Sequence, residues 1–196
     1  MKQVKLVVQA GHNPPEDPGA VYGGVVEANE NRKLEARVHL AVYQLAADDD
    51  MDVEIKAFRG SIAWKAAQIN LYSPVCAVEL HHNAASSVKA RGHETIYSLH
   101  PDSADLAKDI DHYLDLALAN HANHDRGIKV GWFRQDPSRG LVGLFRRVHC
   151  PCVIPEPLFI TNRDDRDILR DETKMNEIAL AIARGIMAFV KRKLGW

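Results

Sequence analysis

The sequence has no excess of either charge. Over 196 residues, 25 Lys and Arg stand against 26 Asp and Glu, a formal net charge of −1. That balance argues against general nucleic-acid binding, which shows as a basic surplus. No run approaches the ~18 apolar residues of a membrane span. Cysteine is scarce and odd in number, with Cys76, Cys150 and Cys152 only. They read as reduced, buried thiols rather than a disulfide framework, and Cys150-Pro151-Cys152 lacks the two-residue spacing of common zinc or redox pairs. No signal peptide is visible before strand-like residues begin at Val4. Internal repeats, low-complexity tracts and linkers are also missing. The length suits one domain, residues 1–196, large enough to bury a real core.

Strand and helix patterns alternate along the chain. Val4 to Val8 is a β-branched run that reads as a first strand, and Val53 to Phe58 alternates like another. Further strands are expected at 75–81, 94–98 and 152–155. Asn31 to Ala47 carries Leu34, Val38, Val42 and Leu45 at helical spacing. Ser61 to Tyr72 reads as a helix capped by Ser61. Helices are also expected from Ser103 to Asn120, over 140–148, and from Thr173 to Lys193, with a polar connection over 121–139. The alternation predicts an α/β fold: a three-layer sandwich with a largely parallel twisted sheet and helices on both faces.

Four polar clusters fall where such a fold builds sites. His12, in Ala10-Gly11-His12-Asn13, follows the first strand, and Asp17-Pro18-Gly19-Ala20 shapes the loop after it. Glu27 stands at the entry to a helical stretch. His81 lies at the exit of the run Val75 to Val78, and Glu156 at the exit of Cys152 to Pro155. Ligands gather past the carboxyl ends of strands in open α/β sheets. Two imidazoles and a carboxylate are the ligand set of many catalytic zinc sites, and a further carboxylate off the metal can serve as general base. No His-Glu-x-x-His helix is present. Sites assembled from separate strand ends need long spacings, so that absence does not exclude zinc.

Taken in order, these segments resemble the zinc-dependent N-acetylmuramoyl-L-alanine amidases of the amidase 3 family. The resemblance rests on Gly11-His12 with Asp17-Pro18-Gly19-Ala20, then Glu27 with Asn31. It continues through His81-His82-Asn83-Ala84 and Gly92-His93-Glu94-Thr95. It closes on Pro151, Glu156, Phe159 and Asn162. It spans the chain from about residue 4 to the C-terminus. It implies one Zn²⁺ held by His12, Glu27 and His81, and Glu156 as the catalytic base. It also implies cleavage between the lactyl group of N-acetylmuramic acid and L-alanine. Glu30 competes with Glu27, and His82 with His81; the family's offsets favour Glu27 and His81. Pro155, beside Glu156, is tolerable at a strand end. His93 is expected to face solvent or a neighbour, with the substrate groove as its functional alternative. The other histidines are assigned to surface or packing roles.

The implied partner is peptidoglycan, with no nucleic acid, and the chain is expected to be a monomer. A compact catalytic unit with no visible leader resembles a phage endolysin. Such an enzyme is cytoplasmic until released and then acts in the periplasm or cell wall. The basic, amphipathic residues 184–196 are expected to pack on the core as a helix. Weak contact with an anionic envelope is the sharper alternative. Two rival functions stay open: a zinc amidohydrolase of small N-acyl amino acids, and a non-catalytic peptidoglycan-binding module.

Overall fold

A computed structural model describes residues 3–119, 124–132 and 142–196. The core element is a six-stranded sheet in the order β4-β1-β5-β8-β6-β7. Its strands are β1 (Val4–Ala10), β4 (Val53–Lys56), β5 (Cys76–Leu80), β6 (His93–Tyr97), β7 (Asp125–Val130) and β8 (Cys152–Glu156). β2 (Val21–Tyr22) and β3 (Val25–Val26) form a small antiparallel hairpin beside it. Every pairing in the large sheet is parallel except that of β6 with β8. β4, β1, β5 and β8 therefore run one way, and β6 and β7 return. The carboxyl ends of β1, β5 and β8 open on one edge of the sheet.

Strand alternation divides the core. Leu6 and Val8 of β1, Cys76, Val78 and Leu80 of β5, and Val153 of β8 enter one apolar cluster. There they meet α1 (Glu27–Asp48), α3 (Ser103–Leu118) and α5 (Glu172–Leu194). Val7, Ala77, Cys152 and Ile154 point to the other face, where they pack on Ala66, Ile69 and Tyr72 of α2 (Ile62–Tyr72) and on Leu144 and Phe145. A period of two along each strand thus supplies both faces. The result is the three-layer α/β sandwich with a largely parallel sheet. All three cysteines are free and buried.

Local chemistry explains most boundaries. Ser61 caps α2 by accepting from the Trp64 N–H at 3.3 Å, and Ser73 ends it in the left-handed region. Asp171 accepts from the N–H groups of Thr173 and Lys174 to open α5, and Gly195 closes it. α1 begins at Glu27, four residues before the apolar spacing becomes readable, because the short β3 strand leads straight into it.

Two expectations need correction, and one helix was not anticipated. The polar stretch after α3 is not all connection, since β7 occupies Asp125–Val130 and pairs with β6. Its Gly127 and alternating charges hide it from a hydrophobic pattern. Residues 142–148 form turns rather than a helix, although Arg146 N–H reaches the Val142 carbonyl at 3.3 Å and Val148 N–H that of Leu144 at 3.2 Å. The start of that expected helix, residues 140 and 141, lies outside the described residues, as do Asn120 and His121. A seven-residue helix, α4 (Arg163–Leu169), is capped by Asn162. It is too short to show an apolar period.

The basic end of α5 packs on the core and spends its charge locally. Lys191 pairs with Asp49, Arg192 with Asp109 at 2.7 Å, and Lys193 with Asp102 at 2.6 Å. α5 also crosses α3 closely at Gly185, where an added Cβ would stand 2.5 Å from the Ile110 Cα. Gly185→Ala is expected to lower unfolding free energy by about 1–3 kcal/mol, because backbone rather than a mobile side chain must yield. Urea denaturation checks this, and an unchanged midpoint would refute the close crossing.

Candidate metal centre

Parallel pairing of β1 with β5 sets the distance between the first and third site residues. In this register Ala10 lies opposite Leu80, and Gly11 N–H donates to the Leu80 carbonyl at 2.8 Å. His12 and His81 therefore leave neighbouring strands side by side. Their rings meet edge to face with centroids 4.8 Å apart. Gly11 makes this approach possible, since a Cβ there would fall 2.0 Å from His81 Nε2. His12 has φ +62°, a left-handed conformation uncommon for a residue with a side chain and typical of functional loops.

Glu27 arrives from the first turn of α1 and is 4 % exposed. One carboxylate oxygen, Oε2, lies 3.1 Å from His12 Nε2, and Oε1 lies 3.0 Å from His81 Nδ1. The ligand-type atoms of His12, Glu27 and His81 all fall within 4.8 Å of one another. Gly19 presses against this group. An added Cβ there would stand 2.5 Å from His12 Cδ2 and 2.7 Å from Glu27 Oε2. His12 Nδ1 in turn meets Asp17 Oδ1 at 2.9 Å, so a carboxylate orients the ring from behind. A compact set of two nitrogen donors and one carboxylate, each from a different element, fits a zinc ion with a coordination position to spare.

Electrostatics separates the competing residues. Burial opposes the charge on Glu27, yet hydrogen bonds from His12 and His81 outweigh it and hold the carboxyl far below its ordinary range. Burial likewise opposes the His81 cation, but Glu27 and Glu79 raise that ring to about 10. The adjacent His82 turns away from the cluster, meets Asn31 Oδ1 at 2.8 Å, and is pushed down to about 4 by burial. Its Nε2 has no hydrogen-bond partner among the described residues. Glu30 is partly buried and pairs with Lys33 at 2.9 Å. Neither His82 nor Glu30 joins the cluster.

Glu156 ends β8 and lines the same cleft as His12 and His81, a cavity of about 650 Å³. The Pro155 carbonyl accepts from His81 N–H at 3.2 Å, which ties the last turn of β8 to the end of β5. Glu156 Oε2 accepts from Asn83 Nδ2 at 2.6 Å, and the same amide reaches Glu94 Oε1 at 2.8 Å. Glu94 is fully buried and takes Arg126 Nε at 2.8 Å and Lys129 Nζ at 2.6 Å. Asn83 therefore joins Glu156 to a buried charge network reaching β7. The proline before Glu156 causes no break, since Pro155 lies opposite Thr95 in the antiparallel pairing of β6 and β8.

The Amidase_3 family, described as N-acetylmuramoyl-L-alanine amidase, matches residues 6–188. The chain belongs to this family. Membership carries the coarse activity, an amidase acting on peptidoglycan. Solved structures agree in fold. The chain resembles the N-acetylmuramoyl-L-alanine amidase AmiC2 of Nostoc punctiforme with a TM-score of 0.80 and 21% identity, over 96% of this chain and 98% of that one. An amidase from Clostridium difficile 630 gives 0.82 and 19%, over 97% and 98%. The catalytic domain of CD27L endolysin, targeting Clostridia difficile, gives 0.70 and 18%, over 94% and 97%. A comparison with curated proteins finds no match.

Sequence reasoning gave no role to Glu79, Lys65, Arg126 or Lys129, all of which reach the surroundings of the site. Glu79 had a signal, since an acid inside the apolar run Val78-Glu79-Leu80 needs a partner. Its partners come from distant segments and left no trace in spacing. His93, expected at solvent or against a neighbour, is buried and 3.7 Å from Asp125. With Asp111 these residues form a second compact His and Asp group on β6, α3 and β7, away from the cleft. Burial, then the charge of Asp125, raises Asp111 to about 6 against the opposing effects of His93 and Thr95; Asp115 adds a further push upward. The folded state holds this proton more tightly than the unfolded chain. Its stabilising effect is therefore present below about pH 4 and lost as pH rises through about 6. Asp111→Asn is expected to raise the melting temperature at pH 7.5 more than at pH 4.5. Equal shifts at both would contradict the crowding of charge there.

Proposed function

We propose that this chain is a zinc-dependent N-acetylmuramoyl-L-alanine amidase, with residues 1–196 acting as one catalytic domain. Its bond is the amide between the lactyl group of N-acetylmuramic acid and L-alanine in peptidoglycan. The observation that carries the reading is the meeting of His12, Glu27 and His81 in one cleft that Glu156 also lines. His12 Nε2, the Glu27 carboxylate and His81 Nδ1 would hold one Zn²⁺. When bound, the ion supplies Lewis acidity, polarising the scissile carbonyl and making water more acidic.

The protein's own groups supply the proton movements. Glu156 accepts a proton from the attacking water as the water oxygen bonds to the carbonyl carbon. It then delivers that proton to the alanine nitrogen as the carbon–nitrogen bond breaks, so the base is regenerated. Asn83 pins one oxygen of this carboxylate and so fixes its plane. Glu27 would act as the ionised carboxylate, the form in which a carboxyl oxygen serves as a metal ligand.

An endolysin role is the finer part of this reading. Such an enzyme stays in the cytoplasm until released, then acts in the periplasm or wall as a monomer. The likeness to an endolysin catalytic domain supports this in fold alone. Among the described residues, no helix is long and apolar enough to cross a membrane. Weak envelope contact by the C-terminal helix has less support, since Lys191, Arg192 and Lys193 are engaged by aspartates.

Digestion of purified peptidoglycan with zinc present tests the activity. Free L-alanine amino termini with intact glycan strands are expected from the native chain. Glu156→Gln is expected to lower the rate by about 10²–10⁴-fold. Dialysis against a strong chelator should abolish activity, and added zinc should restore it. Intact peptidoglycan from a zinc-loaded protein would turn the reading toward small N-acyl amino acids or a binding module.

A further inference from the structure

Glu79 is a carboxylate that the proposed reaction does not use. It sits one residue before the end of β5 and is 6 % exposed. A buried charge is costly unless it is paired and hydrogen-bonded. Lys65 Nζ, itself buried on α2, donates to Glu79 Oε2 at 2.6 Å. Gln9 Nε2 donates to the same oxygen at 2.6 Å. Gln9 lies opposite Glu79 in the register of β1 with β5, so both side chains project to the α2 face. Gln9 is held in turn, because its Oε1 accepts from Phe58 N–H at 3.2 Å. The other oxygen, Glu79 Oε1, lies 3.3 Å from His81 Nε2.

We propose that Lys65, Glu79 and Gln9 form a positioning device for His81: Glu79 accepts the Nε2–H of the ring and turns Nδ1 toward Glu27. This rests on the metal-centre reading of His12, Glu27 and His81. The arrangement answers a specific difficulty. A carboxylate so close to a metal ligand would itself compete for the ion. Two donors on Oε2 restrain it, and the Lys65 cation cancels its charge. Glu27, by contrast, faces the two imidazoles with its two oxygens. The two imidazoles are consequently presented by opposite nitrogens. His12 offers Nε2, with Asp17 behind its Nδ1; His81 offers Nδ1, with Glu79 behind its Nε2. Glu79 and Lys65 are positioning residues that act through His81 rather than on substrate.

Zinc affinity, measured by chelator competition, tests this without reference to turnover. Removing one charge alone would strand the other, so paired variants are needed. Lys65→Met with Glu79→Met removes the acceptor and is expected to weaken zinc binding about 10–100-fold. Lys65→Met with Glu79→Gln restores a neutral acceptor of the same reach and should recover part of that loss. Circular dichroism and thermal melting of the zinc-free forms show whether each variant folds. A second measurement needs no variant: ¹⁵N NMR of the zinc-loaded native protein should show His81 protonated on Nε2 and metal-bound through Nδ1. Unchanged affinity in a folded Met/Met variant, or metal on His81 Nε2, would overturn the proposal. Failure of the native chain to bind zinc at all would instead overturn the metal centre, and this proposal with it.

Discussion

Glu27 is the charge around which the site is organised. It is buried at the first turn of α1, and each carboxylate oxygen faces a different imidazole. Such a group cannot sit in a protein interior unless donors are already there to meet it. The donors come from the ends of β1 and β5, so the carboxylate depends on the pairing of those two strands. Glu27 also takes the Ala20 N–H at 2.9 Å, which fixes the loop that returns from His12 to α1. The loop, two strand ends and one helix start are thus mutually dependent. Disturbing any one exposes an unpaired charge to a low-dielectric surround.

Two further buried carboxylates extend this organisation outward. Glu79 reaches from His81 to Lys65 on α2, and Glu94 reaches from Asn83 to Arg126 and Lys129 on β7. One lies behind His81, and the other behind Asn83, which holds Glu156. Each is neutralised by cations from elements far away in sequence. The cleft therefore has a floor of paired charges, while the hydrophobic clusters lie to either side of the sheet. Such pairing holds side chains in fixed geometry, which suits hydrolysis, where a misplaced group loses more than a weakened one.

Packing beneath the site follows a simpler rule. Alternating residues of β1, β5 and β8 send apolar side chains to both faces, and three long helices cover one of them. The cationic end of α5 is consumed by Asp49, Asp102 and Asp109, which anchors the helix at the edge away from the cleft. Apolar packing and the candidate site are thus separated along the strand direction, with the carboxyl ends of the strands carrying the buried charges.

The α/β alternation, the strands at β1 and β5 and the cap at Ser61 are legible in the sequence because hydrophobic period and capping chemistry are local. The candidate residues His12, Glu27, His81 and Glu156 could be named because their order and offsets follow a family pattern. The strand β7 and the helix α4 were not legible, one being polar and glycine-bearing and the other too short for a period. The return of β6 and β7 against the other strands was equally hidden, since no local signal encodes strand direction. The family's offsets already favoured Glu27 over Glu30 and His81 over His82, and the structure shows the physical reason, with His82 turned to Asn31 and Glu30 to Lys33. Lys65 behind Glu79 and Arg126 behind Glu94 were beyond any reading of spacing. Local propensity is written residue by residue, whereas the partner of a buried charge is set by which distant segments the packed sheet brings together.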